Sequence, residues 1–450
     1  MSNSNLPQSW LNTTLNEVGQ VVSGGTPSTS KPEFWGGGVS WISPVDLSGN
    51  KAVYISKGGK SITELGLQNS SAKLMPAGSV LFSSRAPIGY VAIAANPLCT
   101  NQGFKSVVPN GSINSLYLYY FLTSAKKQAD ELASGTTFKE ISGTNFKCIQ
   151  IPLPPLAEQQ RIVAKIEELF SELDKGIESL KKAQEQLKVY RQSVLKYAFE
   201  GKLTNPDVKE GELPEGWGNK SLKELTIKAD KVRLRDKNAE ADFYYLDIGG
   251  IDNSRNKIVS HKTYKWKDAP SRAQQIVFYK DILFSTVRTY LRNIAQVNDE
   301  KFDNQICSSG FTVLRADNNT DSGYLFKYVL YEGFLTPLNE LQTGTSYPAV
   351  RDEDVLSQQI NLPKSKEEQV KIVQEIESRL SVCDKIEESI EQGLQQAGAL
   401  SQSILKSAFE GKLVPQDPND EPASVLLERI KAERAASNPI KKTRKTKEKA

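Results

Sequence analysis

Three segments of the sequence contain residue types that could do chemistry. Gly59-Lys60-Ser61 ends like a phosphate-binding P-loop, and Phe34-Trp35-Gly36-Gly37-Gly38 fits the Phe-x-Gly-x-Gly pattern of cofactor-binding methyltransferases. The single histidine, His261, could serve as a general base. A P-loop also needs a glycine five positions before Gly59, where Tyr54 stands, so a surface turn is the better interpretation of that segment.

The other two segments also lack what their chemistry requires. The methyltransferase motif should close a strand and open a helix, whereas Phe34–Gly38 lies between Pro32 and an expected strand at Val39, which favours a turn. No Asn-Pro-Pro-aromatic or Asp-Pro-Pro-aromatic tetrapeptide is present to hold a base amine. No nucleophile or carboxylate constellation accompanies His261, which we predict to be exposed and inert. We expect a binding protein without catalytic or metal-ligating residues, rather than an enzyme.

The elements that position any binding site are repeated along the chain. Phe199-Glu200-Gly201-Lys202-Leu203 returns as Phe409-Glu410-Gly411-Lys412-Leu413, an offset of 409 − 199 = 210 residues. So long a period indicates duplication of a whole domain with a helix, rather than a solenoid. Two copies with divergent surfaces suggest one architecture directed at two targets. Weaker landmarks also recur: Leu81-Phe82-Ser83 with Leu283-Phe284-Ser285, Gly103-Phe104 with Gly310-Phe311, Gly135-Thr136-Thr137-Phe138 with Gly344-Thr345-Ser346-Tyr347, and Leu153-Pro154 with Leu362-Pro363.

Each copy ends in an amphipathic helix with a heptad pattern. In the first helix, one row of the pattern is Ile166, Leu173, Leu180, Leu187 and Val194, and the second row is Ile162, Leu169, Gly176, Ala183, Tyr190 and Tyr197. In the second helix the rows are Ile376, Cys383, Ile390, Ala397, Ile404 and Ile372, Arg379, Ile386, Gly393, Leu400, Ser407. The second globular part follows soon after the first helix, so the second helix must run back along the first to bury its stripe. This predicts an antiparallel coiled coil, and the alternative is two helices that each pack on their own domain.

The chain divides into six predicted segments of a mixed, α+β fold. Short strands are expected at Val39–Ile42, Ser79–Phe82, Tyr90–Ala94, Ile276–Tyr279, Ile282–Ser285 and Phe311–Leu314, and helices at Leu116–Leu122 and Tyr324–Leu330. Two similar globular domains, related as a pseudo-twofold tandem repeat, are thus joined by the two long helices. The segments are a first domain at 1–155, a first helix at 156–203, a linker at 204–212, a second domain at 213–362, a second helix at 363–413, and an extension with a basic tail at 414–450.

Composition sets limits on compartment and partner. The four scattered cysteines favour a reducing compartment over a disulfide frame or zinc site. The polar N-terminus lacks the apolar core of a signal peptide, and no apolar run could span a membrane, so we expect a cytoplasmic protein without a membrane partner. The last ten residues carry six Lys or Arg and one Glu, so they account for +5 of the net charge of +4. The remainder is nearly neutral, and its bulk charge does not predict a nucleic-acid partner.

The repeated motifs resemble the specificity subunit of type I DNA restriction–modification systems. The residues that carry the resemblance are Leu153-Pro154-Pro155-Leu156-Ala157-Glu158-Gln159 with Ile162-Val163 and Ala198 to Leu203, then Leu362-Pro363, Glu368-Gln369, Ile372-Val373 and Ala408 to Leu413. The Leu-Pro-x-x-Trp openings at Leu6 and Leu213, together with Trp41-Ile42-Ser43-Pro44, also fit the target-recognition domains of that family. The match covers about residues 6 to 413. It departs at Lys364-Ser365-Lys366, which lacks the Pro-Leu-Ala of the first copy.

The resemblance implies a function and a set of partners. In that family, two target-recognition domains each read one half of a split site in double-stranded DNA. The paired helices act as a ruler and dock two modification subunits, which methylate adenine with S-adenosylmethionine. Restriction subunits add ATP-driven translocation and cleavage. No cofactor is therefore expected in this chain, with S-adenosylmethionine, ATP and magnesium on the partner subunits. A scaffold that holds two protein partners without reading DNA is the alternative.

The candidate DNA-binding residues are polar and basic residues of loops next to the repeated landmarks. Glycines let the backbone approach DNA, hydroxyl groups can meet phosphates or bases, and arginine can grip guanine with two hydrogen bonds. The alternative for each is an ordinary loop residue. The candidates are Ser84, Arg85, Gly135, Thr136, Thr137 and Lys139 in the first domain, and Arg288, Tyr290, Arg292, Gly344, Thr345, Ser346 and Tyr347 in the second.

Overall fold

The computed structural model describes residues 6–50, 52–135, 139–233 and 237–437 of the 450-residue chain. The chain forms two compact units. Unit 1 contains residues 1–179 and 393–450, and unit 2 contains residues 180–392. Unit 1 is therefore built from both ends of the chain, whereas unit 2 is continuous. The boundaries between the units fall inside two long helices, so each unit contains part of both helices.

The globular part of unit 1 mixes strands and short helices. Its described strands form a five-stranded sheet in the order β2-β9-β6-β7-β4, a three-stranded sheet in the order β5-β3-β8, and the antiparallel pair β1-β10. The elements are β1 Leu11–Thr14, α1 Leu15–Val18, β2 Gly19–Ser23, β3 Trp35–Ile42, α2 Pro44–Leu47, β4 Tyr54–Ile55, β5 Lys60–Ile62, α3 Glu64–Gln68, β6 Val80–Phe82, β7 Val91–Ala94, β8 Cys99–Thr100, β9 Lys105–Pro109, α4 Ser115–Ser124, α5 Lys126–Leu132, α6 Gly143–Lys147 and β10 Gln150–Leu153.

The first long helix, α7, spans Leu156–Phe199 and leads into unit 2. The described strands of unit 2 form two four-stranded sheets, β12-β21-β18-β19 and β16-β13-β20-β17, and the pairs β11-β22 and β14-β15. The elements are β11 Trp217–Ser221, α8 Leu222–Leu225, β12 Thr226–Ile227, β13 Asp242–Leu246, β14 Ile251–Asp252, β15 Lys257–Ile258, β16 Lys262–Lys265, β17 Ala273–Val277, β18 Ile282–Ser285, β19 Ile294–Gln296, β20 Gln305–Ser308, β21 Phe311–Ala316, α9 Ser322–Val329, α10 Glu332–Glu340, α11 Asp352–Leu356 and β22 Gln359–Pro363.

The second long helix, α12, spans Lys366–Phe409, and a further helix, α13, spans Ala423–Ser437. Helix α13 was not predicted, and it packs Ala423 and Leu427 into the core of unit 1. No helix among the described residues is both long and apolar enough to cross a membrane. The mixed α and β fold predicted from the sequence is confirmed. The predicted strands and short helices are all present, with their ends moved by at most four residues.

Two segments predicted to be turns belong to strands instead. Lys60 is the first residue of β5. The Phe34–Gly38 segment enters β3, where the pairing with β5 shifts register between Trp35 and Val39. Gly36 has a φ of +81° within this irregular stretch, a value that favours glycine. The glycines therefore allow a strand irregularity rather than a turn between elements. His261 is exposed as predicted, and its ring lies 4.6 Å from that of Tyr244.

The predicted antiparallel pairing of the long helices is confirmed within each unit. In unit 1, Ile162 and Ile166 from the start of α7 share a core with Ile404 and Ala408 from the end of α12. In unit 2, the end of α7 shares a core with the start of α12 in the same way. The residues involved there are Val194, Leu195, Ala198 and Phe199 of α7 and Ile372, Val373 and Ile376 of α12.

Only one of the two predicted heptad rows is consistently protected from solvent. Every member of the α12 row from Ile376 to Ile404 is buried. The prediction that the second row forms part of the seam is wrong for several residues. The buried seam is therefore narrower than the two predicted rows along part of its length. The exposed members of the second row include Tyr190, Tyr197, Ile386 and Leu400, with 47%, 52%, 45% and 50% of their surface accessible.

The end of each long helix is anchored by one phenylalanine and one glycine. The Phe199 ring meets the rings of Tyr324 and Tyr328 edge-on, with centroids 5.2 and 5.1 Å away. Gly201 follows with a φ of +77°, and a Cβ added there would lie 2.4 Å from Pro214 Cγ. Only glycine fits this position, because the conformation is left-handed and there is no room for a side chain.

Unit 1 repeats this anchor at the end of α12. The Phe409 ring lies 5.4 Å from the rings of both Tyr117 and Phe121. A Cβ on Gly411 would lie 2.5 Å from Pro7 Cγ. The repeated Phe-Glu-Gly and Leu-Pro-x-x-Trp motifs are therefore the two sides of one contact, made once in each unit.

Replacing Phe199 by alanine tests this anchor. We expect Phe199→Ala to lower the free energy of unfolding of unit 2 by about 3–5 kcal/mol, because it removes a buried aromatic ring from a packed core. Denaturant titration followed by tryptophan fluorescence would measure the loss. Tyr197→Ala is the matched control, because Tyr197 lies two residues earlier on α7 and is 52% exposed. Equal effects of the two substitutions would contradict the assignment of Phe199 as the anchor.

Candidate DNA-binding loops

Each unit contains a short loop closed by a pair of backbone hydrogen bonds. In unit 1, the backbone N–H groups of Ser134 and Glu140 donate to each other's carbonyl oxygens at 3.1 and 3.0 Å. They close residues 135–139 into a loop that we call tip loop 1. In unit 2, Thr343 and Ala349 exchange two hydrogen bonds of 3.0 Å and close residues 344–348, which we call tip loop 2. The two loops have the same length and begin with the repeated glycine.

The segment that follows β6, the central strand of the five-stranded sheet, holds tip loop 1 in place. The N–H of Ile141, just after the loop, donates to Ser84 O at 3.1 Å, and the N–H of Ser84 donates to Gly103 O at 2.7 Å. Three landmarks that lie far apart in the sequence therefore meet at one place.

The same arrangement occurs in unit 2. There the N–H of Val350 donates to Thr286 O, and the N–H of Thr286 donates to Gly310 O, both at 3.0 Å. The repeated landmarks thus mark one backbone construction that is present in both units.

The side chains around tip loop 1 are organised by a carboxylate that was not predicted. Glu140 accepts from Arg85 Nη1 at 3.2 Å and from Ser84 Oγ at 3.4 Å. Lys105 Nζ lies 3.5 Å from the same carboxylate, and the Lys105 side chain is only 10% exposed. Ser84 is itself buried, so its hydroxyl supports the loop rather than facing solvent.

The remaining candidates of unit 1 belong to tip loop 1 itself. Gly135, with a φ of +107°, and Lys139 are exposed. Their exposure leaves the Gly135 backbone and the Lys139 amine accessible to a ligand. Thr136 and Thr137 lie outside the described residues.

Tip loop 2 is exposed, and the side chain of Arg288 packs against it. The Nη2 of Arg288 donates to Ser346 O at 2.9 Å, and the Arg288 guanidinium carbon lies 4.7 Å from the centre of the Tyr347 ring. Tyr347 is 71% exposed. Gly344, with a φ of +99°, and Thr345 are exposed in the same loop. The structure therefore brings five of the seven candidates of unit 2 together.

The other two candidates, Tyr290 and Arg292, belong to the turn that follows Arg288. Arg288 and Arg292 flank the short 3-10 helix Thr289–Leu291 and have φ values of 51° and 55°. The guanidinium of Arg292 pairs with the carboxylate of Glu332 at the start of α10. Partial burial lowers the pKa of Arg292 from its ordinary value, but the arginine stays protonated at neutral pH, since its ordinary pKa is so high. Tyr290 is 52% exposed.

A hairpin beside this turn was missed by the sequence analysis. Strands β14 and β15 pair antiparallel, and Asn253 Nδ2 donates to Leu291 O at 2.7 Å. Asn256 Nδ2 donates to Ile294 O at 3.2 Å, so the hairpin is bonded both to the turn and to the start of β19. Arg255 is exposed at the hairpin tip. The run of Asp, Asn and Ser between Ile251 and Ile258 was the available signal, because these residues favour tight turns.

The groups exposed at these loops suit contacts with an anionic, polar ligand. Lysine and arginine can neutralise phosphates, and an open glycine backbone allows close approach. The described residues contain no group of three or more His, Cys, Asp or Glu side chains that could hold a metal ion. The loops offer donors for recognition, whereas a nucleophile with an adjacent base is not apparent in their contacts.

Replacing Glu140 by alanine tests its role around tip loop 1. We expect Glu140→Ala to lower the free energy of unfolding of unit 1 by roughly 1–2 kcal/mol, mainly because the largely buried Lys105 loses its partner. Hydrogen–deuterium exchange should also become faster in peptides covering residues 134–141. Glu131→Ala, which removes an exposed carboxylate from α5, is the control. Unchanged exchange in Glu140→Ala would exclude this role.

Comparison with known proteins identifies the family. A model of the type I restriction modification DNA specificity domain matches twice, at residues 7–188 and 214–396. The MjaIX specificity subunit of Methanocaldococcus jannaschii is 31% identical over 80% of this chain and 84% of its own length. The EcoKI specificity subunit of Escherichia coli K12 is 27% identical over 99% of this chain and 100% of its own length.

Solved structures support the same fold. A chain from a type I R-M system aligns with a TM-score of 0.68 at 21% identity, over 91% of this chain and 99% of that chain. The HsdS subunit of Thermoanaerobacter tengcongensis aligns over the same shares with a TM-score of 0.58 at 19% identity. With two matches that together cover most of its length, this chain belongs to the family defined by the type I restriction modification DNA specificity domain.

Proposed function

We propose that this chain is the DNA-recognition subunit of a type I restriction–modification complex and that each unit binds one half of a bipartite target in double-stranded DNA. The observation that carries the proposal is the repeated construction of tip loops 1 and 2. The residue after each loop donates a backbone hydrogen bond to an equivalent segment of its own unit, from Ile141 to Ser84 and from Val350 to Thr286. The side chains around the two loops differ, with an ion-pair cluster at Glu140 in unit 1 and an arginine–tyrosine stack in unit 2. Similar loops with different side chains suit two different half-sites.

The thirteen candidate residues divide into two roles in this proposal. The candidates in the tip loops, with Arg288 and Tyr290, contact DNA directly through side chains or backbone. Ser84 and Arg85 support tip loop 1 through Glu140, and Arg292 holds the turn after Arg288 against α10 through Glu332. Phosphate contacts supply affinity and register, and contacts to base edges supply sequence preference.

The long helices provide the docking surface for partner subunits in this proposal. Exposed apolar residues on paired helices favour binding of another protein. In unit 2 these residues are Val189, Tyr190, Tyr197, Val382 and Ile386, each between 45% and 67% exposed. We assign this surface to modification subunits, of which the complex contains two. Restriction subunits then bind outside the modification subunits. The chain itself performs no catalysis and works in the cytoplasm. S-adenosylmethionine, ATP and magnesium belong to the partner subunits.

Co-expression with a modification subunit of the same system tests the function. The chain should co-purify with that subunit, and the pair should methylate adenine within one bipartite motif in genomic DNA. Sequencing that detects methylated adenine would give the motif. Co-purification without sequence-dependent methylation or DNA binding would instead support the protein scaffold.

Exchange of one recognition domain provides a second test. Replacing residues 1–150 by the matching segment of a relative should change one half of the methylated motif and leave the other half intact. The physical reason is that tip loop 1 and its supporting segment lie wholly within this range, whereas tip loop 2 lies in unit 2. Comparison of the methylated motifs before and after the exchange gives the answer. A change in both halves would contradict separate recognition by the two units.

A further inference from the structure

The cationic side chains near the tip loops differ in what they already bind. The Arg85 guanidinium is paired with Glu140, and the Arg292 guanidinium is paired with Glu332. Within the part of the chain that the structure describes, Arg288 is paired with no carboxylate, and its guanidinium contacts a backbone oxygen and an aromatic ring. Arg288 therefore keeps its full charge and most of its five N–H donors for a ligand.

The Arg288 guanidinium is also fixed in orientation. It is restrained by its hydrogen bond to Ser346 O and by its contact with the Tyr347 ring, whose centre lies 4.7 Å from the guanidinium carbon. The backbone adds a third restraint, because the N–H of Arg288 donates to Pro348 O at 2.7 Å. Arg288 also has a left-handed φ of 51°, which costs energy in a residue other than glycine. A charged group is thus held still beside an exposed loop at some conformational cost.

An arginine held in one orientation suits contact with a base edge through two hydrogen bonds. Guanine presents two adjacent acceptors, N7 and O6, in the major groove, and a bidentate arginine must lie in the plane of the base to reach both. A phosphate can also accept two hydrogen bonds from one guanidinium, but a phosphate contact carries no sequence preference, so the two contacts are separated by how binding depends on sequence. Holding the guanidinium in place beforehand lowers the entropy cost of forming two hydrogen bonds.

The shape of the loop is compatible with this role. Tip loop 2 is a five-residue loop closed by the single Thr343–Ala349 bridge, and residues 344–347 are all exposed. The major groove is about 12 Å wide, so a short exposed loop can enter it. Val287 also pairs with Ala349, which places Arg288 beside the closed end of the loop.

We propose that Arg288 determines specificity by reading a guanine in the half-site bound by unit 2, with Tyr347 as its positioning residue. This inference rests on the proposed function and deepens it by naming one base and the residue that reads it. It separates Arg288 from Arg85 and Arg292, whose charges are already paired. It also requires the half-site of unit 2 to contain a G·C pair.

The test measures methylation by the chain in complex with its modification subunit on a panel of duplexes. Each duplex changes one base pair of the bipartite motif. With Arg288→Ala, we expect the preference at one G·C pair of the half-site of unit 2 to fall about 10- to 100-fold, while all other positions keep their preference. Tyr347→Leu should weaken the preference at the same pair, and Tyr347→Phe should retain it, because the phenylalanine ring still stacks. Arg272→Ala removes an exposed arginine elsewhere in unit 2 and serves as the charge control.

Three results would overturn the assignment of Arg288. One is an equal loss of activity on all sequences in Arg288→Ala, which would indicate a phosphate contact. Another is a half-site of unit 2 without any G·C pair. The third is a Tyr347→Leu variant with unchanged preference at every position, a result that is informative even where Arg288→Ala fails to fold. A wild-type complex without bipartite preference would instead overturn the proposed function, so the two failures are distinguishable.

Discussion

The docking of the last turn of each long helix onto a globular part is the contact on which the rest of the structure depends. Phe199 and Phe409 insert between two aromatic rings of α9 and α4, and the glycine two residues later lies against a proline. The apolar surface buried there supplies stability, and the glycine lets the chain turn away at once. Each globular part is thereby completed by a helix end that comes from elsewhere in the sequence.

A buried glutamine fixes the start of each long helix, because both its side-chain oxygen and its side-chain nitrogen are hydrogen-bonded. Gln159 accepts from the N–H of Asn114 at 2.7 Å and donates to Pro154 O at 3.0 Å. Gln369 makes the matching bonds with Asp321 at 2.8 Å and Pro363 at 3.0 Å. A buried amide must satisfy its donors and acceptor, so these contacts fix the direction in which each helix leaves its domain. The repeated Glu-Gln pairs at the two helix starts thus have a structural reason, independent of DNA recognition.

The sequence was sufficient for the repeat and the pairing of the helices, because both depend on spacing. An offset of 210 residues preserves heptad register, and the row from Ile376 to Ile404 is buried as that spacing requires. Exposure of Tyr190 and Tyr197 was not predictable from spacing, because spacing does not give the width of the contact between the helices. Helix α13 was missed because its placement depends on tertiary contacts of Ala423 and Leu427 rather than on a strong apolar pattern of its own.

The candidate loops likewise combine features that the sequence predicted with features that it did not predict. Glycines, hydroxyl residues and arginines beside repeated landmarks pointed to residues that the structure does bring together in each unit. The contacts that distinguish those residues were beyond sequence reasoning. Arg85 and Glu140 are 55 positions apart, and nothing in their spacing predicts an ion pair. The stack of Arg288 on Tyr347 likewise depends on the closure of tip loop 2, which is a property of the folded backbone.

The division of the chain between the two units also has a consequence for biosynthesis. Unit 2 occupies one continuous stretch, residues 180–392, and all of its packing partners have been translated once that stretch is complete. Most of unit 1 precedes unit 2 in the chain, yet the core of unit 1 includes Ile404, Leu405 and Leu427. The core of unit 1 can therefore be completed only after unit 2 has been synthesised. Until Phe409 has been synthesised, the rings of Tyr117 and Phe121 lack this packing partner. Apolar surface that is exposed in this way makes a nascent chain prone to aggregation.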